Sequence, residues 1–217
     1  MKTITEQKPL EEIQALLEKK NKIYLIGCGT CATLCHTGGN KEVLEMKEKL
    51  IELGKEVTES VVIPTACDNL VGELLKEFRW HADRCDAILV MACALGVQNV
   101  VRHNPGKLVY PALNTLFIGV EEEPGRFTEV CSQCGDCILG RTVGVCPVTA
   151  CAKGLLNGPC GGSQNGKCEV SPERDCAWAK IVEKLEELGE LDKLEEIAEP
   201  KDWSKMERPR SAIIASV

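Results

Sequence analysis

Eight cysteines fall between Cys131 and Cys176, opening as Cys131-Ser-Gln-Cys134-Gly-Asp-Cys137 and continuing through Cys146-Pro147, Cys151, Cys160 and Cys168. Three thiolates at C-x2-C-x2-C can take three corners of a cubane and leave the fourth iron to a more distant cysteine, the usual way of holding a [4Fe–4S] cluster. A second group, Cys28-Gly-Thr-Cys31-Ala-Thr-Leu-Cys35, sits near the other end of the chain. Bacterial ferredoxins place Cys-Pro three residues beyond the third cysteine, whereas eight residues separate Cys137 from Cys146 here. The pattern is therefore not a plain ferredoxin. Eight thiolates suffice for two cubanes, or for one cubane and one four-cysteine zinc site. Counting the N-terminal group, the spacing implies two or three clusters and one-electron transfer.

The elements that must position these residues follow from the apolar pattern. Leu10, Ile13, Leu16 and Leu17 predict an amphipathic helix over 9–20, and Val43, Leu44, Met46, Leu50 and Leu53 a second over 40–53, stopped at Gly54. Further helices are expected over 69–79 and 96–102. Apolar runs predict strands at 22–27, 57–64 and 86–92, with short ones at 108–110 and 116–120. Strands alternating with helices indicate βαβ units. Residues 1–123 are thus expected to form a small doubly wound α/β domain with a parallel sheet.

In such sheets ligands gather beyond the carboxyl ends of the strands. Cys28, Cys67 and Cys93 each follow a predicted strand, so Cys28, Cys31 and Cys35 supply three thiolates and either Cys67 or Cys93 the fourth. Cys85 precedes a strand, at the opposite edge, and is expected to be structural. Gly27-Cys28-Gly29-Thr30-Cys31-Ala32 also matches a dinucleotide fingerprint, G-x-G-x-x-A. The nearest acidic candidate, Glu59, is badly placed for a ribose contact, and three cysteines in and after the loop favour a cluster.

Composition changes at Glu121-Glu-Glu-Pro124-Gly125, where a charged hinge is expected. Residues 124–198 read as an irregular cysteine-rich domain in which metal–thiolate bonds supply folding energy. It ends in a helix with Trp178, Ile181, Val182, Leu185 and Leu188 on one face, Gly189 as its stop and a solvated Glu-rich face over 183–190. Residues 199–217 form an extended tail whose apolar end could pack on a partner. His36 is expected beside the sulfurs without ligating, and His81 and His103 at the surface.

The 217 residues carry a formal charge of −7, three histidines and 4% aromatic side chains. The acidic balance and the absence of a basic stripe exclude a nucleic-acid surface. No leader or stretch near the roughly 20 apolar residues of a membrane span is visible, so a cytoplasmic location is expected, where thiols stay reduced and serve metals rather than disulfides. No Ser/His/Asp set, carboxylate pair or phosphate loop appears, and substrate chemistry is expected on another subunit.

The run from Cys131 to Gly140, then Cys146-Pro-Val-Thr-Ala-Cys-Ala-Lys-Gly-Leu-Leu-Asn-Gly-Pro-Cys160-Gly-Gly, Gly166-Lys-Cys168 and the Asp175-Cys-Ala-Trp-Ala-Lys-Ile helix, resembles the cysteine-rich C-terminal domain associated with methylenetetrahydrofolate reductase. The segment Gly27-Cys-Gly-Thr-Cys-Ala-Thr-Leu-Cys-His-Thr-Gly-Gly39 resembles the iron–sulfur small subunit that accompanies the flavin-bearing reductase subunit of acetogenic bacteria. The resemblance covers about residues 20–195 and implies a flavin- and folate-binding partner that converts 5,10-methylene- to 5-methyltetrahydrofolate in the Wood–Ljungdahl pathway. It further implies that this chain relays electrons from ferredoxin or a larger electron-transfer complex. An adaptor that docks the reductase onto its donor is the alternative.

Overall fold

The computed structural model describes residues 2–212 and divides into two compact units, Met1–Phe127 and Thr128–Val217. In the first, the elements run β1 (Lys2–Gln7), α1 (Leu10–Leu16), β2 (Lys22–Cys28), α2 (Cys31–Leu34), α3 (Asn40–Glu52), β3 (Glu56–Ile63), α4 (Val71–Glu77) and α5 (Arg79–Asp83). They continue with β4 (Ala87–Met91), α6 (Ala94–His103), β5 (Leu108–Pro111), β6 (Leu113–Glu123) and β7 (Arg126–Glu129).

Strands β3-β2-β4-β5 form a four-stranded parallel sheet, with Leu25 opposite Ser60 on one side and Leu89 on the other. Strands β2 and β4 can be central because Ile23–Ile26 and Ala87–Met91 are apolar or aromatic throughout and buried on both faces. Val43, Met46 and Leu50 form the buried stripe of α3, at helical spacing against the sheet. Fully burying a side chain such as Leu50 contributes roughly 1.5–3 kcal/mol. At the start of β2, the Asp86 carboxylate accepts from the Asn21 and Lys22 amides at 2.8 and 2.9 Å. Those amides hold its carboxyl below the usual carboxylate range.

The expected parallel sheet is present, but it is not the whole unit. Strands β1-β6-β7 form a separate three-stranded antiparallel sheet, Lys2 opposite Gly119 and Gln7 opposite Leu113. The short strand expected at 116–120 is the middle of an eleven-residue strand, and β1 and β7 had no counterpart in the periodicity. The helix expected over 69–79 is broken at Phe78, and the second piece turns His81 inward. His81 is not a surface residue: it is buried, stacked on Tyr24 at 5.6 Å between ring centroids and packed beneath Trp80. His103 is exposed.

The second unit contains α7 (Pro147–Ala150), the hairpin β8 (Lys167–Cys168) and β9 (Ser171–Asp175), and α8 (Ala177–Glu187), with 3-10 turns at Leu191–Leu194 and Trp203–Met206. Its apolar contacts centre on α8, whose Trp178, Ile181 and Leu185 pack against Val143, Val145, Leu155, Cys151 and Cys176. Leu188, expected on that face, is exposed. The tail is not simply extended: the turn at Trp203–Met206 is capped by Asp202, whose carboxylate accepts from the Ser204 amide at 3.0 Å. The apolar end, residues 213–217, lies outside the described residues. Among the described residues, no helix is long and apolar enough to cross a membrane.

Candidate metal centre

Three strands of the parallel sheet deliver thiols to its carboxyl edge. Strand β2 ends on Cys28, Cys67 lies in the loop after β3, and Cys93 follows β4 at the N-terminus of α6. Cys31 opens α2, one turn beyond Cys28. Cys28 and Cys93 are buried, Cys31 is partly buried and Cys67 is exposed. Burial pushes the Cys67 thiol up, and the neighbouring charges of Cys93, Cys28 and Cys31 push it further. Cys67 thus lies within electrostatic reach of the other three. Mutual repulsion of this kind is relieved when thiolates share a bound cation, which strips their protons outright.

The loop is built to bring them close. A Cβ on Gly27 would stand 2.5 Å from Val43 Cγ2 and 2.6 Å from the Gly38 carbonyl, and one on Gly38 would stand 2.1 Å from the Met91 carbonyl. The fingerprint's second glycine is used in the same way, since a Cβ on Gly29 would stand 3.0 Å from the Pro64 carbonyl, and the helix that follows the motif is a single turn. The Ala66 amide donates to Cys28 Sγ at 3.4 Å, and Thr30 Oγ1 lies 3.3 Å from the same sulfur. Asn99 fixes the Cys67 loop by donating to the Ala66 and Asp68 carbonyls at 3.1 and 2.9 Å.

Cys35, expected as a third ligand beside Cys28 and Cys31, is the C-cap of α2. Its Sγ faces the Thr3 carbonyl of β1 at 3.8 Å. The Thr5–Thr37 hydroxyl pair at 2.7 Å anchors that side of the loop to the antiparallel sheet. Cys85 is buried at the other end of the parallel sheet, donating to the Ala82 carbonyl, and its thiol is raised by burial.

In the second unit two cysteines carry the same local device. Gln133 takes a left-handed conformation (φ 57°) and its amide donates to Cys131 Sγ at 3.3 Å. Gly161 does likewise (φ 75°), and the Gly162 amide donates to Cys160 Sγ at 3.4 Å. That amide, with the Lys153 ammonium, outweighs burial and holds the Cys160 thiol below its ordinary range. Burial alone would raise Cys134, but the Asp136 backbone and the Lys201 ammonium bring it below the ordinary value. An amide or cation beside sulfur favours thiolate over thiol.

The tail holds this loop in place. Lys205 donates to Asp136 Oδ1 at 2.9 Å, Arg210 donates to the Gln133 and Lys205 carbonyls, and the side chain of Lys201, 1% exposed, bonds to the Asp136 carbonyl. Thr149 of α7 donates to the Val130 carbonyl, placing Cys146 and Cys151 beside the approach to Cys131. Cys151 and Cys176 share the apolar patch of α8, and Cys160 Sγ lies 3.6 Å from the carboxylate of Glu169, next to Cys168. Cys137 is exposed. Lys201 escaped the sequence reading because nothing local marks a lysine more than sixty residues away as a thiolate partner.

All fourteen cysteines are free. Among the described residues no three His, Cys, Asp or Glu side chains are gathered around a point as a single metal ion requires. A cubane takes its thiolates on four different irons and needs them on a wider circle. A donor set of thiols, with amides aimed at sulfur and no carboxylate among the four N-terminal groups, fits soft, thiolate-bound metal.

Residues 110–204, somewhat under half of the chain, match a family model described as the C-terminal domain of methylenetetrahydrofolate reductase. The match relates this stretch to that family and accords with a role in methylenetetrahydrofolate reduction. Comparisons with curated proteins and with solved structures returned no match.

Proposed function

We propose that the chain is an iron–sulfur subunit that carries electrons to a flavin-bearing methylenetetrahydrofolate reductase subunit, for reduction of 5,10-methylene- to 5-methyltetrahydrofolate. The observation that carries this reading is the placement of Cys28, Cys67 and Cys93 after successive strands at the carboxyl edge of the parallel sheet, with Cys31 one turn beyond Cys28. The family relation of residues 110–204 supports the substrate assignment. Those four cysteines would hold one [4Fe–4S] cluster. The eight of the second unit would suffice for two more. Bound clusters supply single electrons, which a flavin accepts one or two at a time.

The chain's own residues set the environment for that transfer. The amides of Ala66, Gln133 and Gly162 donate onto sulfur and stabilise negative charge there. Lys201 offsets charge at Cys134. The close packing of Gly27 and Gly38 keeps the Cys28 loop rigid, so its thiols are held in place rather than gathered on demand.

The test is Cys28→Ser in the complex co-expressed with its flavin subunit. The relay reading expects assembly and bound flavin to persist while reductase activity from a ferredoxin-type donor is lost. Unchanged activity contradicts it and leaves the chain as an adaptor.

A further inference from the structure

Beside Cys67 the first unit carries a groove with a cavity volume of about 480 Å³. Its floor is apolar, made by Val71 and Leu74, and Leu70 stands at its lip 69% exposed. Asp68, Glu73 and Glu77 rim it. Glu73 is paired with Lys76 at 2.7 Å, whereas Asp68 and Glu77 make no ion pair among the described residues. The surface on the far side of Cys67 has the opposite sign, with Arg102 beside Leu95 and Gln98. The acidic rim is thus confined to the α4 side of an exposed thiol that belongs to the metal centre.

An exposed leucine over an apolar floor, with Asp68 and Glu77 outside any ion pair on its rim, suits an amphipathic segment carrying lysine or arginine beside its apolar anchors. We infer that this groove is where the flavin-bearing partner docks, through a basic, apolar segment seated on Leu70, Val71 and Leu74, with Cys67 at the margin of the contact. The inference rests on the relay reading, because it supposes a flavoprotein partner. The contact is small, as redox interfaces commonly are. Its charges act mainly on encounter rate and salt dependence, its apolar centre on lifetime.

The experiment measures binding of the full-length chain to the flavin-bearing reductase subunit at low and high salt, with iron and sulfide determined on every variant. Leu70→Asp is expected to weaken binding about tenfold or more, with metal content unchanged. Glu77→Lys, at an exposed site, is expected to weaken binding several-fold at low salt and to flatten the salt dependence. Leu44→Asp, on exposed α3, is the control expected to bind as wild type. Wild-type affinity for Leu70→Asp, or no binding by the wild-type chain, overturns the inference. If the wild-type chain holds no iron yet Leu70→Asp still abolishes binding, the relay reading fails and the docking groove stands.

Discussion

Gly96 of α6 lies against Ala66 so closely that a Cβ on Gly96 would stand 2.6 Å from Ala66 Cβ. Ala66 precedes Cys67 and Gly96 follows Cys93 by three residues, so this contact sets the spacing between two of the candidate ligands. Both partners are short and stiff and cannot swing aside. Gly96→Ala is expected to cost about 1–3 kcal/mol through overpacking, to lower the melting temperature by several degrees and to reduce iron retained by the first unit. Thermal unfolding and metal content check this. A variant that melts with the wild type and keeps its iron shows that the approach is not needed.

Cys35 and Cys93 should differ sharply. Cys93 is among the charges felt by Cys67, whereas Cys35 faces the Thr3 carbonyl. Cys93→Ser is expected to lose about four irons per chain, one cubane, and Cys35→Ser to lose none. The reverse order would restore the set in which Cys28, Cys31 and Cys35 supply three thiolates and Cys67 the fourth.

The parallel sheet and its thiol edge were legible in the sequence because strands buried on both faces write themselves as continuous apolar runs. Ile23–Ile26 and Ala87–Met91 do so, and cysteines follow directly. Strand β1 was not legible, since Lys-Thr-Ile-Thr-Glu-Gln offers one aliphatic residue. Its partner β6 lies more than a hundred residues on, and the burial of Thr3 and Thr5 is a property of that pairing. His81 was misplaced for a related reason: its burial follows from the break at Phe78, which no glycine or proline announces. The choice between Cys67 and Cys93 as the fourth ligand beside Cys28, Cys31 and Cys35 was likewise closed to spacing, because both follow strands at the same edge of the sheet.

Lys201 is expected to tune Cys134. With the ammonium in place the thiol titrates below its ordinary range, near 8.5 for a free cysteine. In metal-free protein, the alkylation rate of Cys134, followed peptide by peptide by mass spectrometry, should inflect at lower pH than that of a free thiol. Lys201→Met should move the inflection upward. An unchanged inflection would mean that the amide donors alone set the thiolate.

Tyr24 gives an alkaline test of the core. Burial first, then Glu59 and Cys85, push its phenol well above the ordinary tyrosine range, and its hydroxyl finds no hydrogen-bond partner among the described residues. The folded state therefore prefers the neutral phenol. Its contribution to stability is complete below the unfolded value of about 10 and is lost as pH rises above that toward the folded value. Tyr24→Phe should remove this alkaline decline and stabilise the protein by about 1 kcal/mol, since an unsatisfied buried hydroxyl costs roughly 1–3 kcal/mol. Denaturant unfolding between neutral and alkaline pH checks it, and a destabilised variant would reveal a partner for the hydroxyl.

The most direct test of the account is the iron, acid-labile sulfide and zinc carried per chain after anaerobic purification with the flavin subunit co-expressed. The account predicts at least about four irons with equal sulfide, and roughly eight to twelve when the second unit holds clusters as well. About four irons with one zinc would mean one electron-carrying site and one structural site. Protein with its full complement of flavin subunit and no acid-labile sulfide would contradict it.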